Sequence, residues 1–178
     1  MIGKSVALRA PELSDADHIY RWENDPDIWQ VSNTITPFSR YLIEQYILSA
    51  DQDIFAARQL RLMIDARAGS EWEPAGAIDL FDFDPMHLRA GVGILVSSAF
   101  RGQGLATEAL VLLKAYAFNT LQLHQLFAHI TIDNTPSLSL FRKCGFEICG
   151  TRKEWLRIQG EWKDEYILQC INQKGGVE

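Results

Sequence analysis

Three groups of residues in this chain have types and spacings suited to chemistry. The first is Arg101-Gly102-Gln103-Gly104, a glycine-rich turn that runs straight into an amphipathic helix beginning Leu105-Ala106-Thr107. The apolar strand Gly91–Val96 precedes it. Strand, glycine turn and helix in that order make an anion site. The first N–H groups of a helix lack intrahelical partners, and the helix dipole adds positive potential there. The second group is Asn134-Thr135-Pro136-Ser137, followed by Phe141 and by Gly145-Phe146. The third is a set of side chains able to take up a proton: Glu154 in Arg152-Lys153-Glu154-Trp155, Asp79, and His87.

A pyrophosphate suits the first group, and two common loops for it fit badly. A Walker loop needs Lys and then Ser or Thr after its last glycine, where this chain has Leu105 and Ala106. A dinucleotide fingerprint needs a third glycine at 107, where Thr107 stands. Arg101-Gly102-Gln103-Gly104-Leu105-Ala106 instead resembles the R/Q-x-x-G-x-G/A motif of the GNAT superfamily of N-acetyltransferases. The run Ile130–Phe146 resembles the strand, Asn, short helix and Gly-Phe segment that completes the cofactor site in that superfamily. Physically, Asn134 is a good N-cap for a helix from Thr135, Pro136 is tolerated in a first turn, and Gly145 suits the helix end.

The resemblance implies acetyl-CoA as cosubstrate, no metal, and direct attack by a primary amine within a ternary complex. Its cofactor contacts fall on Arg101 through Thr107 and on Asn134, Ser137 and Phe141. Ile94, Leu95 and Val96 are the strand end along which the pantetheine arm runs in the superfamily. A backbone N–H there polarises the acetyl carbonyl. Glu154 resembles the Glu near this place in ribosomal-protein and spermidine acetyltransferases and is the first candidate base. A surface salt bridge to Arg152 or Lys163 is its plainer explanation. Asp79 is the second candidate, or a structural acid. His87, in a turn, reads as a surface residue. Where spermidine acetyltransferases place a tyrosine acid this chain has Phe141, which has no proton to give. Ser137 matches the serine of the ribosomal-protein pattern.

The acceptor stays open between a polyamine and a peptide or protein N-terminal amine. Six carboxylates lie between Glu12 and Asp27, with Arg21 the sole formal cation among them. They read either as helix capping plus a solvated face or as an acidic wall for a polyamine. Trp22, Glu23, Trp29 and Phe38 are the candidate acceptor contacts. A catalytically silent acyl-CoA-binding module is the alternative from another class, and a nucleotide-binding protein is the last.

The elements that must position these groups follow from pattern. Val6–Arg9 is a first strand. A helix after Ser14, its expected N-cap, carries Ile19, Tyr20 and Trp22 on one side and stops at Asn24-Asp25-Pro26. A second helix covers 40–48, with Ile43, Tyr46 and Ile47 as its stripe. Strands are expected at 60–64, 75–81 and 88–96, and at 126–132 with Leu126, Ala128, Ile130 and Ile132 on one face. Residues 146–158 and 162–171 form a hairpin turned at Gln159-Gly160. The class is α/β (α+β): a mixed, mostly antiparallel twisted sheet with helices on both faces. The 178 residues make one domain over 1–173 with a frayed tail at 174–178, enough to bury roughly 70% of the unfolded surface. A net charge of −6 argues against nucleic acid. The absence of an apolar run near ~18 residues argues against a membrane partner. No signal peptide is expected at the N-terminus. Cys144, Cys149 and Cys170 read as reduced core thiols of a cytoplasmic protein. A homo-oligomer is compatible with all of this.

Overall fold

The structure is a computed structural model that describes residues 1–26, 28–29, 36–49 and 53–173. Seven strands form one sheet: β1 (Val6–Arg9), β2 (Leu60–Ala68), β3 (Glu71–Asp84), β4 (Arg89–Val96), β5 (Gln125–Thr131), β6 (Glu147–Ile158) and β7 (Glu161–Ile171). Their order is β1-β2-β3-β4-β5-β7-β6. Every pairing is antiparallel except that of β4 with β5. The expected class holds. The helices are α1 (Ala16–Glu23), α2 (Arg40–Leu48), a single turn α3 (Ile54–Ala57), α4 (Leu105–Asn119) and α5 (Thr135–Lys143). Among the described residues, no helix is long and apolar enough to cross a membrane. The expected tail at 174–178 and Asp27 lie outside the described residues.

Local chemistry accounts for most element ends. Helix α4 is rich in Ala and Leu, strong helix formers, and buries Leu105, Ala109, Leu110, Leu113 and Ala117 as one stripe. Helix α5 is capped by Asn134, whose side chain accepts the Ser137 N–H at 3.2 Å. It ends before Gly145 at φ +85°. The β6–β7 hairpin turns through Gln159 and Gly160, both at positive φ, as a two-residue primed turn requires.

Two apolar clusters lie on opposite faces of the sheet. Leu62 and Ile64 belong to the larger one, under α4 and α5. Met63, between them, belongs to the smaller one with Ala16 and Ile19 of α1 and Ile43 and Ile47 of α2. Alternation along a strand puts these neighbours on opposite faces.

Several expectations change at element boundaries. Ser14 is not the cap of α1. A 3-10 turn, Leu13–Asp15, precedes the helix, and the Asp15 carboxylate accepts the Glu12 N–H at 2.8 Å. Strands β2 and β3 run longer than their apolar cores, so that only Gly69 and Ser70 join them. Ile132 lies past the end of β5 and is exposed, because the buried face of that strand stops at Ile130. Cys144 and Cys170 are buried thiols, whereas Cys149 is exposed.

The choice of Asp15 over Ser14 has a long-range cause. Arg9 of β1 donates to Asp15 (2.6 and 2.8 Å) and to Asp65 of β2 (2.6 Å), and both carboxylates are buried. Burial by itself would raise the Asp15 carboxyl. The hydrogen bonds from Arg9 and from the Glu12 N–H together outweigh it and hold the group below its usual range. Removing one member of such a buried pair leaves an uncompensated charge, which costs about 3–5 kcal/mol. Arg9→Ala should therefore lower unfolding stability by about that amount in denaturant titrations near neutral pH. A depressed carboxyl stabilises above its unfolded value and loses that contribution as pH falls through its folded value. The gap between wild type and variant should narrow below the reference value of 3.8.

Candidate active site

Strands β4 and β5 pair over only three residues: Arg89 with Gln125, Ala90 with Leu126, and Gly91 with Phe127. Both strands then continue, β4 to Val96 and β5 to Thr131, so a gap opens between them. On its other edge β4 stays paired with β3 as far as Val96. Ser97 N–H donates to Ala75 O of β3 at 2.8 Å. Peptide groups alternate sides along a strand, so Ile94 and Val96 turn theirs into the gap, whereas that of Leu95, expected to line it too, faces β3.

The gap leads to the glycine turn. Gly102 and Gly104 stand at φ +78° and +81°, a region other residues enter only with strain, and a Cβ on either would meet nothing within 4 Å. The cradle is open space bounded by backbone. Arg101 Nε donates to Val96 O at 3.1 Å and ties the turn to the end of β4. Thr107 and Glu108 N–H groups bond back to Gly104 O, while those of Leu105 and Ala106 come too early in the helix for an intrahelical bond.

Residues 5–147 match the acetyltransferase (GNAT) domain family. This chain belongs to the GNAT acetyltransferase family. It is 27% identical to the spermidine N(1)-acetyltransferase of Escherichia coli K12 over 171 residues, covering 95% of this chain and 87% of that one. It is likewise 27% identical over 185 residues to the probable N-acetyltransferase YjcK of Bacillus subtilis 168, covering 96% of both. The crystal structure of the Vibrio cholerae spermidine N-acetyltransferase in complex with CoA and spermine shares the fold. Its TM-score is 0.86 at 22% identity, over 97% of this chain and 98% of that one. The protein is thus an acyltransferase of the N-acetyltransferase class, and its strand gap and glycine turn are the features to which the remaining side chains relate.

One face of the sheet, on the side of α1 and α2, carries the polar groups. Arg61 of β2 sits between Glu23 of α1 (2.5 Å) and Asp79 (2.7 and 3.2 Å), with its guanidinium over the Tyr46 ring. Asp79 lies within β3, not at its end, and both its oxygens face Arg61. Burial alone would lower the Arg61 guanidinium, but Asp79 and Glu23 outweigh it and hold it charged. Of the residues expected to contact the acceptor, Trp29 and Glu23 are joined by a hydrogen bond, whereas Phe38 and Trp22 bond or pack elsewhere. Trp29 Nε1 donates to Glu23 O at 2.6 Å, and the Asn24 amide clasps Phe38 through both its N–H and its carbonyl. Trp22 packs on the smaller apolar cluster.

Three carboxylates of the acidic stretch are paired with arginines. Asp15 bonds Arg9, Asp17 bonds Arg40, and Glu23 bonds Arg61. His87 is exposed in its turn, where its N–H donates to Asp84.

Glu154 occupies a bulge. Between the pairs Arg152–Glu165 and Leu156–Lys163, three residues of β6 face the single residue Asp164 of β7. Glu154 is exposed and stands at φ +49°; its N–H donates to Asp164 Oδ1 at 2.9 Å, and Lys153 Nζ takes Oδ2 at 2.7 Å. The salt bridges envisaged for it go elsewhere: Arg152 bonds Glu165, and Lys163 bonds Asp133 and Glu161. Ser137 is half-buried in the first turn of α5. Phe141 is 3% exposed and edge-on to Phe146 in the core.

Sequence reasoning missed Arg61 and the set His129, Arg152 and Glu165. Glu165 is 4% exposed and accepts from Arg152 at 3.0 Å, and Arg152 Nη2 lies 3.4 Å from His129 Nε2. The available signal was alternation. With Leu126, Ala128 and Ile130 buried, Phe127, His129 and Thr131 must take the other face. If Asp164 holds the bulge, Asp164→Ala should speed hydrogen exchange of the Glu154 amide while the neighbouring β5–β7 amides keep their protection.

Proposed function

We propose that this protein transfers the acetyl group of acetyl-CoA to a primary amine by direct attack in a ternary complex. The observation that carries the reading is the gap between β4 and β5 opening onto the Gly102–Gly104 cradle. The residues present suit such a cosubstrate, since the cradle has room where side chains would stand and backbone donors on its rim. The Vibrio cholerae enzyme of the same fold was crystallised with CoA.

The turn Arg101–Thr107 and the first N–H groups of α4 hold the pyrophosphate. Charge-assisted hydrogen bonds of this type contribute roughly 1.5–3 kcal/mol each. Peptide groups of Ile94 and Val96 pair with the pantetheine arm. An N–H of that strand end polarises the acetyl carbonyl, a charge that grows in the transition state. Acetyl-CoA supplies the activated thioester.

Glu154 is the preferred base, directly or through water, because it is exposed at the bulge and Asp79 is engaged by Arg61. Phe141, buried in the core, gives no proton. A thiolate of pKa near ~8.5 leaves at modest cost without one. Ser137 at the start of α5 positions the thiol or a water.

For the acceptor, the pairing of Asp15, Asp17 and Glu23 with arginines removes much of the acidic wall and favours a peptide-type amine. The polyamine reading is supported by the spermidine acetyltransferase relative that aligns over 95% of this chain and by the like-folded Vibrio cholerae enzyme crystallised with spermine.

Thiol release from acetyl-CoA across spermidine, spermine, small amines, amino acids and short peptides with free N-termini tests the reaction. Saturable release with an amine is expected; acetyl-CoA binding with silence on every amine would favour a non-catalytic binder. Gly104→Glu should abolish acetyl-CoA binding in calorimetry by placing bulk and negative charge in the cradle, and undiminished affinity would remove the loop from the site. Glu154→Gln should keep cofactor affinity and lower kcat by about 10²–10⁴. That loss should shrink as pH rises and more of the amine is already neutral.

A further inference from the structure

We infer that His129 is a neutral hydrogen-bond donor that selects acceptors carrying an oxygen acceptor close to the reacting amine. The inference deepens the proposed reaction and rests on it.

His129 lies two residues past Phe127, the last β5 residue paired with β4, and so stands at the mouth of the gap. It is half-buried on the face that carries the polar groups. Its ring packs against Phe127 at 5.3 Å, and Phe127 meets Phe81 edge-on at 5.8 Å, which fixes the ring from one side. From the other side Arg152 Nη2 lies 3.4 Å from Nε2. Arg152 is itself held by the buried Glu165 and stacks on Trp155 at 4.8 Å.

A guanidinium has donors only and stays charged. The imidazole atom facing it must offer its lone pair, so Nε2 is the acceptor and the proton sits on Nδ1. The charged groups around the ring are Arg152 of β6, Glu165 of β7 and Asp82 of β3. Burial first, and Arg152 second, push the imidazole below its ordinary value; the two carboxylates act the other way and do not win.

A neutral imidazole whose lone pair is taken cannot collect the proton of an incoming ammonium while Arg152 stays in place. It can donate through Nδ1. That bond needs an oxygen on the acceptor. A polyamine offers nitrogen groups only, and the lone pair of its reacting nitrogen is needed for the attack. A peptide or amino-acid-type amine offers a carbonyl oxygen on the adjoining carbon. His129 thereby distinguishes the two acceptor classes at the point where they differ chemically.

The test compares kcat/KM for alanyl-alanine amide and for spermidine in wild type, His129→Phe and His129→Asn. Phe keeps a flat ring and removes the donor, whereas the Asn amide nitrogen can occupy the place of Nδ1. The expected result is a fall of about tenfold or more in the peptide-to-spermidine ratio for Phe, with substantial recovery for Asn. An unchanged ratio in His129→Phe overturns the inference. ¹⁵N NMR of the His129 ring supplies a readout independent of turnover. The Nδ1–H form at neutral pH is expected, with a titration midpoint below 6.5 that rises in Arg152→Gln. An Nε2–H ring overturns the inference even in an active enzyme. Silence on every amine, with acetyl-CoA bound, overturns the proposed reaction and the acceptor selection with it, and the ring tautomer then shows whether the electrostatic part was sound.

Discussion

The site depends on where the pairing of β4 with β5 stops. Parallel pairing runs through Gly91 and Phe127 and no further, and an aromatic contact marks the place. A Cβ on Gly91 would come within 2.3 Å of the Phe81 ring. The missing side chain lets Phe81, on β3, reach across β4 and meet Phe127 of β5 edge-on. The aromatic pair closes the vertex, and such pairs contribute about 0.5–1.5 kcal/mol beyond the area they bury. Past the vertex, β4 keeps its bonds to β3 and β5 keeps its bonds to β7. Each strand is therefore held firmly on one edge and turns its other edge to the gap. Unspent peptide groups are costly when sealed away from partners, so this edge is stable only where water or a ligand reaches it. A ligand with amide groups along its length would satisfy them.

Charge on the neighbouring face is arranged around arginines. Arg9 binds two buried carboxylates, Arg61 joins Glu23 to Asp79, and Arg152 joins Glu165 to His129. In each case a planar fork of donors satisfies acceptors that come from different strands or helices, a task a lysine ammonium performs less well. The formal charge of the N-terminal region therefore says little about its outward face. Asp15 is locked inside, and Glu23 is turned toward the sheet.

The parts of the fold legible from sequence are those governed by neighbours in the chain. Gly104 and Gly145 mark a helix start and a helix end because each adopts a positive φ, and Asn134 caps α5 with its own side chain. Gln159-Gly160 turns a hairpin for the same local reason. The parts that were not legible join residues far apart in the chain. Ser14 and Asp15 are equally good N-caps by local preference, and the turn formed around Asp15 because Arg9, which also binds Asp65, stands on β1. His129 carried no local mark. Its significance arises only when β6 brings Arg152 beside it. Asp79 stood out by its residue type, but its partner Arg61 lies 18 residues away on the adjoining strand.

Glu154 shows how the two levels combine. A left-handed conformation at a residue with a Cβ costs about 1–3 kcal/mol, so something must hold it. Asp164 does so, being the single β7 residue opposite the bulge and binding both the Glu154 N–H and the Lys153 ammonium. In a regular strand, residues 152 and 155 would point to opposite faces. The bulge brings them together, so that Arg152 stacks on Trp155 while still reaching Glu165 and His129. This bulge of β6 thus sets the position of Glu154 and also steadies the guanidinium that lies against the His129 ring. A change that straightened this strand would disturb both groups at once, although neither touches the other.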